Sequence, residues 1–174
     1  MKETEELQAQ VAQWRAAFDR AFAEPPPEAG PPPLDFLGLG LGAQPHALRL
    51  AELSALQALA GVTPYPGAPP ELLGLVSHRG VVLPLYDLRA LLGLGAAERP
   101  AWLVVLKQAP LALAFERFDG HWRLPGEACV PAGEAARDPL RGQVLRCPGE
   151  GTEQLRSVID LGAVAALLRP PNPS

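Results

Sequence analysis

Apolar residues near the start of the chain recur with the period of an α-helix. Four large side chains are spaced by four, three and four residues: Leu7, Val11, Trp14 and Phe18. That spacing forms an apolar seam along one face of a helix. The pattern predicts a helix over residues 4–24, with its seam available for an interaction. Residues 25–33 contain six prolines, which end the helix and predict a stiff, extended linker.

From residue 34 onward, short apolar runs alternate with glycine and proline breaks. This texture predicts strands and turns, in the segments 34–41, 46–53, 72–86, 101–107, 111–118, 121–124, 141–146 and 155–159. The turn His78-Arg79-Gly80 divides segment 72–86 into two strands, and Gly80 is expected to adopt a positive φ. Asp87 is expected to start one helical turn over 87–92. Asp160 is expected to cap a short C-terminal helix over 161–169. The fold class is therefore predicted as mainly β.

Composition narrows the class of protein. Hydrophobic residues make up 48% of the chain, charged residues 20%, and the net charge is −4, which argues against disorder and against a nucleic-acid-binding footprint. Neither an export signal nor an apolar run long enough to span a bilayer is recognisable. The two cysteines are too few for a disulfide scaffold. A cytoplasmic protein without direct membrane insertion is expected.

The residue types that form catalytic and metal-binding sites in other proteins do not occur here at the spacings that such sites require. No metal-ligand motif links the candidate side chains, which are His46, His78, His121, Cys129 and Cys147. The serines at 54, 77 and 157 lack the context of an activated nucleophile. The glycine-rich run 38–42 lacks the following helix of a phosphate-binding loop. We therefore expect no catalytic residue, metal or cofactor, and a small hydrolase is a distant alternative.

Three adjoining segments carry a family resemblance. Residues 62–69 (VTPYPGAP), 74–80 (GLVSHRG) and 81–89 (VVLPLYDLR) resemble consecutive motifs of the CheW family. Weaker similarity extends the resemblance over residues 34–169. The chain thus divides into an N-terminal helix (1–24), a proline-rich linker (25–33), a CheW-like domain (34–169) and a tail (170–174).

This resemblance implies both a fold and a function. The fold would be two SH3-like, five-stranded β-barrels, with the N-terminal helix and the short C-terminal helix added. The function would be a non-catalytic adaptor in a chemotaxis two-component system. Its partners would be the regulatory domain of a CheA-type histidine kinase and the cytoplasmic tip of a methyl-accepting chemoreceptor. An alternative is a CheW-like regulatory or competitor subunit recruited through the N-terminal helix.

The resemblance also implies which residues meet each partner. The receptor-facing set is Arg79, Leu53, Leu75 and His78. We expect the kinase contact at apolar residues next to turns of the first lobe, namely Leu39, Leu41, Leu48 and Leu50. The chain departs from the family at Ala55, where the family usually has a glutamate that pairs with the arginine matched by Arg79. It departs again at Ser77, His78 and Glu116, and residues 53–61 have helical propensity where the family has a strand and loop.

Overall fold

The computed structural model describes residues 32–133, 138–149 and 152–169. Two short helices lie in this part of the chain, α1 (Leu88–Leu91) and α2 (Leu161–Leu167). The strands, numbered in chain order, are β1 (Leu34–Leu41), β2 (Gln44–Arg49), β3 (Leu53–Ala58), β4 (Leu72–His78), β5 (Val81–Asp87), β6 (Trp102–Leu106), β7 (Ala112–Phe115), β8 (Arg117–Leu124), β9 (Cys129–Pro131), β10 (Gln143–Pro148) and β11 (Glu153–Val158).

These strands form two sheets. The first has the order β8-β1-β2-β11-β10-β9, and the second has the order β3-β6-β7-β5-β4. Each sheet is mixed, because β2 pairs with β11 in parallel and β5 pairs with β7 in parallel. The prediction of a mainly β fold with few helices is confirmed. The predicted N-terminal helix lies outside the described residues.

One core is shared by the two sheets. Leucines of β1 and β2 from the first sheet meet residues of β6 and β7 from the second, and both helices contribute side chains. The large residues of this shared core include Leu37, Leu39, Leu41, Leu48, Leu53, Leu88, Val104, Leu106, Leu113, Phe115, Ile159, Leu161 and Val164. Each sheet also covers a smaller cluster of its own, around Phe36 and Leu145 in the first sheet and around Leu83 and Leu85 in the second.

The glycines of β1 make room for side chains of β8. A Cβ atom at Gly38 would lie 2.0 Å from the indole ring of Trp122, and one at Gly40 would lie 2.4 Å from the guanidinium of Arg117. Any larger residue would displace these two side chains, since real contacts of a Cβ are longer. The glycine-rich run is therefore a packing surface for β8.

The turn between β4 and β5 matches its prediction. Gly80 has a φ of +81° and Arg79 has a φ of +49°, so both central residues occupy the left-handed region that a two-residue hairpin turn requires. Glycine adopts this conformation freely, whereas arginine does so at a cost. Asp87 and Asp160 accept hydrogen bonds from the first turns of α1 and α2, which confirms their predicted capping roles.

Two segments differ from what their local pattern favours. Residues 53–58 have helical propensity but form β3, because pairing with β6 and burial of Leu53 outweigh that propensity. The strand predicted over residues 46–53 ends early, and Leu50 is 37% exposed, because β2 ends at Arg49 and the chain turns through a 3₁₀ segment over Leu50–Glu52. The alternation of a strand does not continue through such a turn.

His46 is buried at a narrow joint of the first sheet. It is 1% exposed, and its Nδ1 atom lies 3.1 Å from the carbonyl oxygen of Gln44. The two halves of this sheet join where β2 pairs in parallel with β11, His46 with Ser157 and Ala47 with Val158, and the N–H of Ile159 also donates to the Ala47 carbonyl. Burial lowers the pKa of His46 below its ordinary value, and the charges of Arg141 and Arg156 add to this effect against the Gln44 hydrogen bond.

We predict that the domain loses stability as the pH falls below about 6.5, the pKa of an unfolded histidine. The unfolded chain then binds a proton that buried His46 resists, so the free energy of unfolding decreases as pH decreases. Above that pH the contribution is fully present. Urea unfolding midpoints measured between pH 7.5 and 5.5 check this. His46→Gln is expected to flatten the dependence, and His121→Gln, at an exposed site, is expected to retain it. An equal slope in His46→Gln and wild type contradicts the assignment.

Candidate functional site

The tip of the β4–β5 hairpin carries two exposed apolar residues next to a cation. Val81 is 56% exposed and Val82 is 64% exposed, although both are β-branched residues within a strand. Arg79 is exposed between the two strands. Valines are normally buried in sheets, so this tip has the composition of a contact surface.

Two contacts join β4 to the segment that contains β3. Thr63 and Leu75 exchange backbone hydrogen bonds of 2.9 and 2.8 Å. Gly74 permits this approach, because a Cβ there would lie 2.4 Å from the Thr63 carbonyl oxygen. Three residues further along β4, the Nδ1 atom of His78 donates to Oε1 of Gln57 in β3 at 3.1 Å. The outer strands of the second sheet are thus connected at two levels.

A groove with a volume of about 440 Å³ lies at the other end of β3. It brings together Leu50 from the predicted kinase-facing set and Leu53 from the predicted receptor-facing set. Its remaining lining residues are Pro33, Leu34, Asp35, Ala51 and Lys107. Leu34 and Leu50 are partly exposed there, and Lys107 donates to the Ala51 carbonyl at 2.8 Å. The groove therefore offers apolar walls with one cation and one carboxylate at its rim.

The other predicted kinase-facing leucines are structural. Leu39, Leu41 and Leu48 lie in the shared core and have almost no exposed surface. A partner reaches none of these three side chains in this conformation. Leu50 is the exposed member of the set, which the sequence alone did not distinguish because its apolar character is the same.

The predicted receptor-facing residues fall into two places. Leu75, His78 and Arg79 lie on β4 and its turn. Leu53 and Gln57 stand four residues apart on β3, which corresponds to about 13 Å of strand. Since Gln57 is the residue of β3 that contacts His78, Leu53 lies at the end of β3 away from that contact. Among the described residues, no carboxylate lies within salt-bridge distance of Arg79, and Glu52 does not replace the family's glutamate.

Glu52 lies between the groove residues Ala51 and Leu53 in the chain and does not itself line the groove. Its Oε2 atom is buried without a hydrogen-bond partner within the described ranges. Burial raises the pKa of Glu52, and the negative charge of Asp160 adds to this against the attraction of Arg49. The backbone carbonyl of Glu52 accepts from the backbone N–H of Lys107 at 2.9 Å. Glu52 therefore joins its 3₁₀ segment to Lys107 and does not pair with Arg79.

A polar link beside α1 involves the Asp87-Leu88-Arg89 end of the family-like motif. Asp87 is fully buried and accepts from the backbone of Arg89 at 2.9 Å and of Ala97 at 2.7 Å. The Arg89 guanidinium pairs with Glu116 at 2.9 Å, and Glu116 also accepts from the backbone N–H of Gly42 in the β1–β2 turn. These residues tie the two sheets together, so their role is structural.

A second ion-pair network fills the interior of the first sheet. Arg156 is buried, donates to Asp119 at 2.6 Å, and lies 4.7 Å from the centre of the Trp122 ring. Burial alone would raise the pKa of Asp119, but hydrogen bonds from Arg117 and Arg156 outweigh it and lower that pKa. Asp119 is therefore a stable anion that neutralises a buried arginine.

Sequence reasoning missed a groove beside α2. It has a volume of about 330 Å³ and is formed by β5, the β6–β7 turn and the end of α2. Its lining residues are Pro84, Tyr86, Gln108, Ala109, Pro110, Leu111, Ala165, Leu168 and Arg169. Among these residues, Pro84 is the one that the sequence could have singled out, because a proline within a strand indicates an irregular or outer position.

The histidines and cysteines are distributed apart from one another. His121 pairs with Asp35 at 2.9 Å, and Cys147 is buried with its Sγ 3.3 Å from the Gln154 carbonyl. Cys129 lies near Arg49 and Gln143, and burial raises the pKa of its thiol. Across residues 32–133, 138–149 and 152–169, no three His, Cys, Asp or Glu side chains converge as metal ligands would. No helix in the same ranges has the length and apolarity needed to cross a membrane.

Comparison with known proteins identifies a family and similar solved structures. The family model described as CheW-like domain matches residues 35–169. The crystal structure of the scaffolding protein TtCheW from Thermoanaerobacter tengcongensis superposes with a TM-score of 0.64 at 13% sequence identity, covering 74% of this chain and 89% of that one. At that identity the structural likeness shows the fold. No curated protein sequence matches this chain.

We predict that Glu116→Gln lowers the free energy of unfolding by about 1–3 kcal/mol, because it removes a charge from a partly buried link. Urea denaturation measures this. The matched control is Asp35→Asn, which breaks the more exposed pair with His121 and should cost about 0–1 kcal/mol. Equal effects of the two substitutions would show that the Arg89–Glu116 link does not tie the sheets together.

Proposed function

Because this chain belongs to the CheW-like domain family, we propose that it couples a chemoreceptor to a CheA-type histidine kinase in a cytoplasmic signalling array. The observation that carries this proposal is the match of the family model over residues 35–169. The family consists of non-catalytic scaffold proteins, and the general role of a chemotaxis adaptor follows from membership. The pairing with these two partners is the specific part of the proposal.

We also propose that each sheet closes into an SH3-like barrel. The second sheet supports this best, because the Thr63–Leu75 bridge and the Gln57–His78 hydrogen bond connect its two outer strands. Its own cluster of buried residues then forms the barrel interior. Small barrels of this kind leave turns and grooves as their variable surfaces.

The receptor-facing surface is proposed at the β4–β5 hairpin tip. Arg79 supplies a cation without a carboxylate partner among the described residues, and the exposed Val81 and Val82 supply apolar area at the start of β5. Leu75 and His78 support the tip from β4. Leu53 lies in the groove about 13 Å along β3, so it would meet a different part of an elongated partner.

The kinase-facing surface is proposed at the groove of Leu34 and Leu50. The sequence suggested four leucines as kinase contacts, and Leu50 is the one of them that would touch the kinase directly. Leu39, Leu41 and Leu48 support it from the shared core. Lys107 and Asp35 at the rim would contribute orientation, as polar rims do in protein interfaces.

We predict that Arg79→Asn weakens receptor binding about tenfold or more, because the substitution removes a guanidinium from a carboxylate contact. Asparagine tolerates the left-handed backbone at this turn better than alanine does, so the fold is retained. Titration calorimetry with a chemoreceptor cytoplasmic fragment measures the affinity.

Leu50→Asp is the matched control for Arg79→Asn. It should weaken binding of the kinase regulatory domain and leave the receptor affinity unchanged, and Arg79→Asn should do the reverse. If neither partner binds wild-type protein at tens of micromolar, the coupling role is wrong. Binding that displaces a standard coupler without activating the kinase would identify a competitor subunit instead.

The seam of Leu7, Val11, Trp14 and Phe18 stays a prediction from the sequence. We predict that deletion of residues 1–31 leaves the melting temperature of the domain within about 3 °C and removes one binding partner in a pull-down. The reason is that the CheW-like domain matched by the family model begins at residue 35, whereas a lone helix needs a covering surface. Precipitation of the truncated protein, or a melting temperature lower by 10 °C, would contradict this.

A further inference from the structure

The β4–β5 hairpin tip has few contacts that fix its direction. β4 is an outer strand of its sheet and pairs along one side with β5. On its other side, the described residues provide the Thr63–Leu75 bridge and the Gln57–His78 hydrogen bond. The bridge lies three residues before the end of β4, whereas His78 is the last residue of the strand. The hydrogen bond is therefore the contact nearest to the turn.

The geometry of β3 aims Gln57 at the tip. Residues 55, 57 and 59 share one face of the chain, and Ala55 and Leu59 pack against the second sheet's own cluster. His78 pairs with Val81 across the hairpin. The Gln57 amide thus crosses from β3 to β4 above that cluster and holds the residue that directly precedes Arg79.

Arg79 depends on this support because of its own backbone. Its φ of +49° is costly for arginine, and the next residue is a glycine that does not restrain the chain. With His78 released, the turn could exchange its strained conformation for others. With His78 held, fewer backbone conformations are open to Arg79, and its side chain has fewer directions in which to leave the turn.

We propose that Gln57 is a positioning residue, which through His78 sets the direction in which Arg79 meets a partner. This inference rests on the proposed function, in which Arg79 contacts the receptor. The partner surface that fits is a segment with a carboxylate next to apolar side chains, because the tip presents Arg79 in the turn and the exposed Val81 and Val82 directly after it.

The experiment uses the full chain and a chemoreceptor cytoplasmic fragment as the probe. Gln57→Leu removes the acceptor and is expected to weaken binding about three- to tenfold, the effect of one hydrogen bond. Gln57→Glu keeps an oxygen acceptor and should bind within about twofold of wild type. Hydrogen exchange of the Val81 and Val82 amides should accelerate in Gln57→Leu and not in Gln57→Glu. The affinity for the kinase regulatory domain should stay constant in Gln57→Leu. A general loss of stability would instead weaken binding of both partners and would not be confined to the amides of the tip.

His78→Phe removes the donor and serves as a second variant if Gln57→Leu folds poorly. The single and double variants should lose the same affinity, because each breaks the same bond. Additive losses, or wild-type affinity in Gln57→Leu alongside reduced affinity in Arg79→Asn, would overturn the positioning role and leave the receptor surface intact. Wild-type affinity in Arg79→Asn would instead remove the proposed receptor surface, and the positioning role with it.

Discussion

The structure depends on the burial of β1 on both of its faces. Leu37, Leu39 and Leu41 fill the core that the two sheets share, and Phe36, Gly38 and Gly40 face the interior of the first sheet. A strand in this position cannot alternate apolar with polar residues, as a half-exposed strand does. It instead alternates leucine with glycine, so that one face supplies side chains and the other receives Trp122 and Arg117 from β8. The two lobes are joined because one strand belongs to both cores.

A strand buried on both faces needs polar anchors where it ends. The β1–β2 turn begins at Gly42, and its N–H is bound by Glu116, which also pairs with Arg89. Asp87 caps α1, the helix that carries Arg89, and its second carboxylate oxygen accepts a hydrogen bond from the backbone N–H of Ala97. The aspartate and arginine of the family-like motif thus act at one joint, with Leu88 in the shared core between them. Glu116 stands where the family has an aspartate, and its carboxylate still satisfies both donors.

The sequence predicted those features that a local rule determines. The hairpins, the turn at Gly80 and the caps at Asp87 and Asp160 follow from residue types within a few positions of one another. The strand over 53–58 was ambiguous, because its leucines and alanines suit a helix and only pairing with β6 decides otherwise. The orientation of Leu50 depended on where β2 ends. The groove beside α2 combines residues from positions 84 to 169, a span over which no pattern in one sequence reports proximity.

The motif over residues 74–89 is buried except at one place. Gly74 accommodates the Thr63 carbonyl, and Leu83 and Leu85 fill a core. Asp87 and Arg89 serve the joint between the sheets. The exposed remainder is the tip from Ser77 to Val82. Most of the motif therefore specifies the fold, and this chain differs from the family at Ser77 and His78, within the tip. Substitutions at the tip leave the cores undisturbed, because no side chain from Ser77 to Val82 belongs to a core cluster of the described residues.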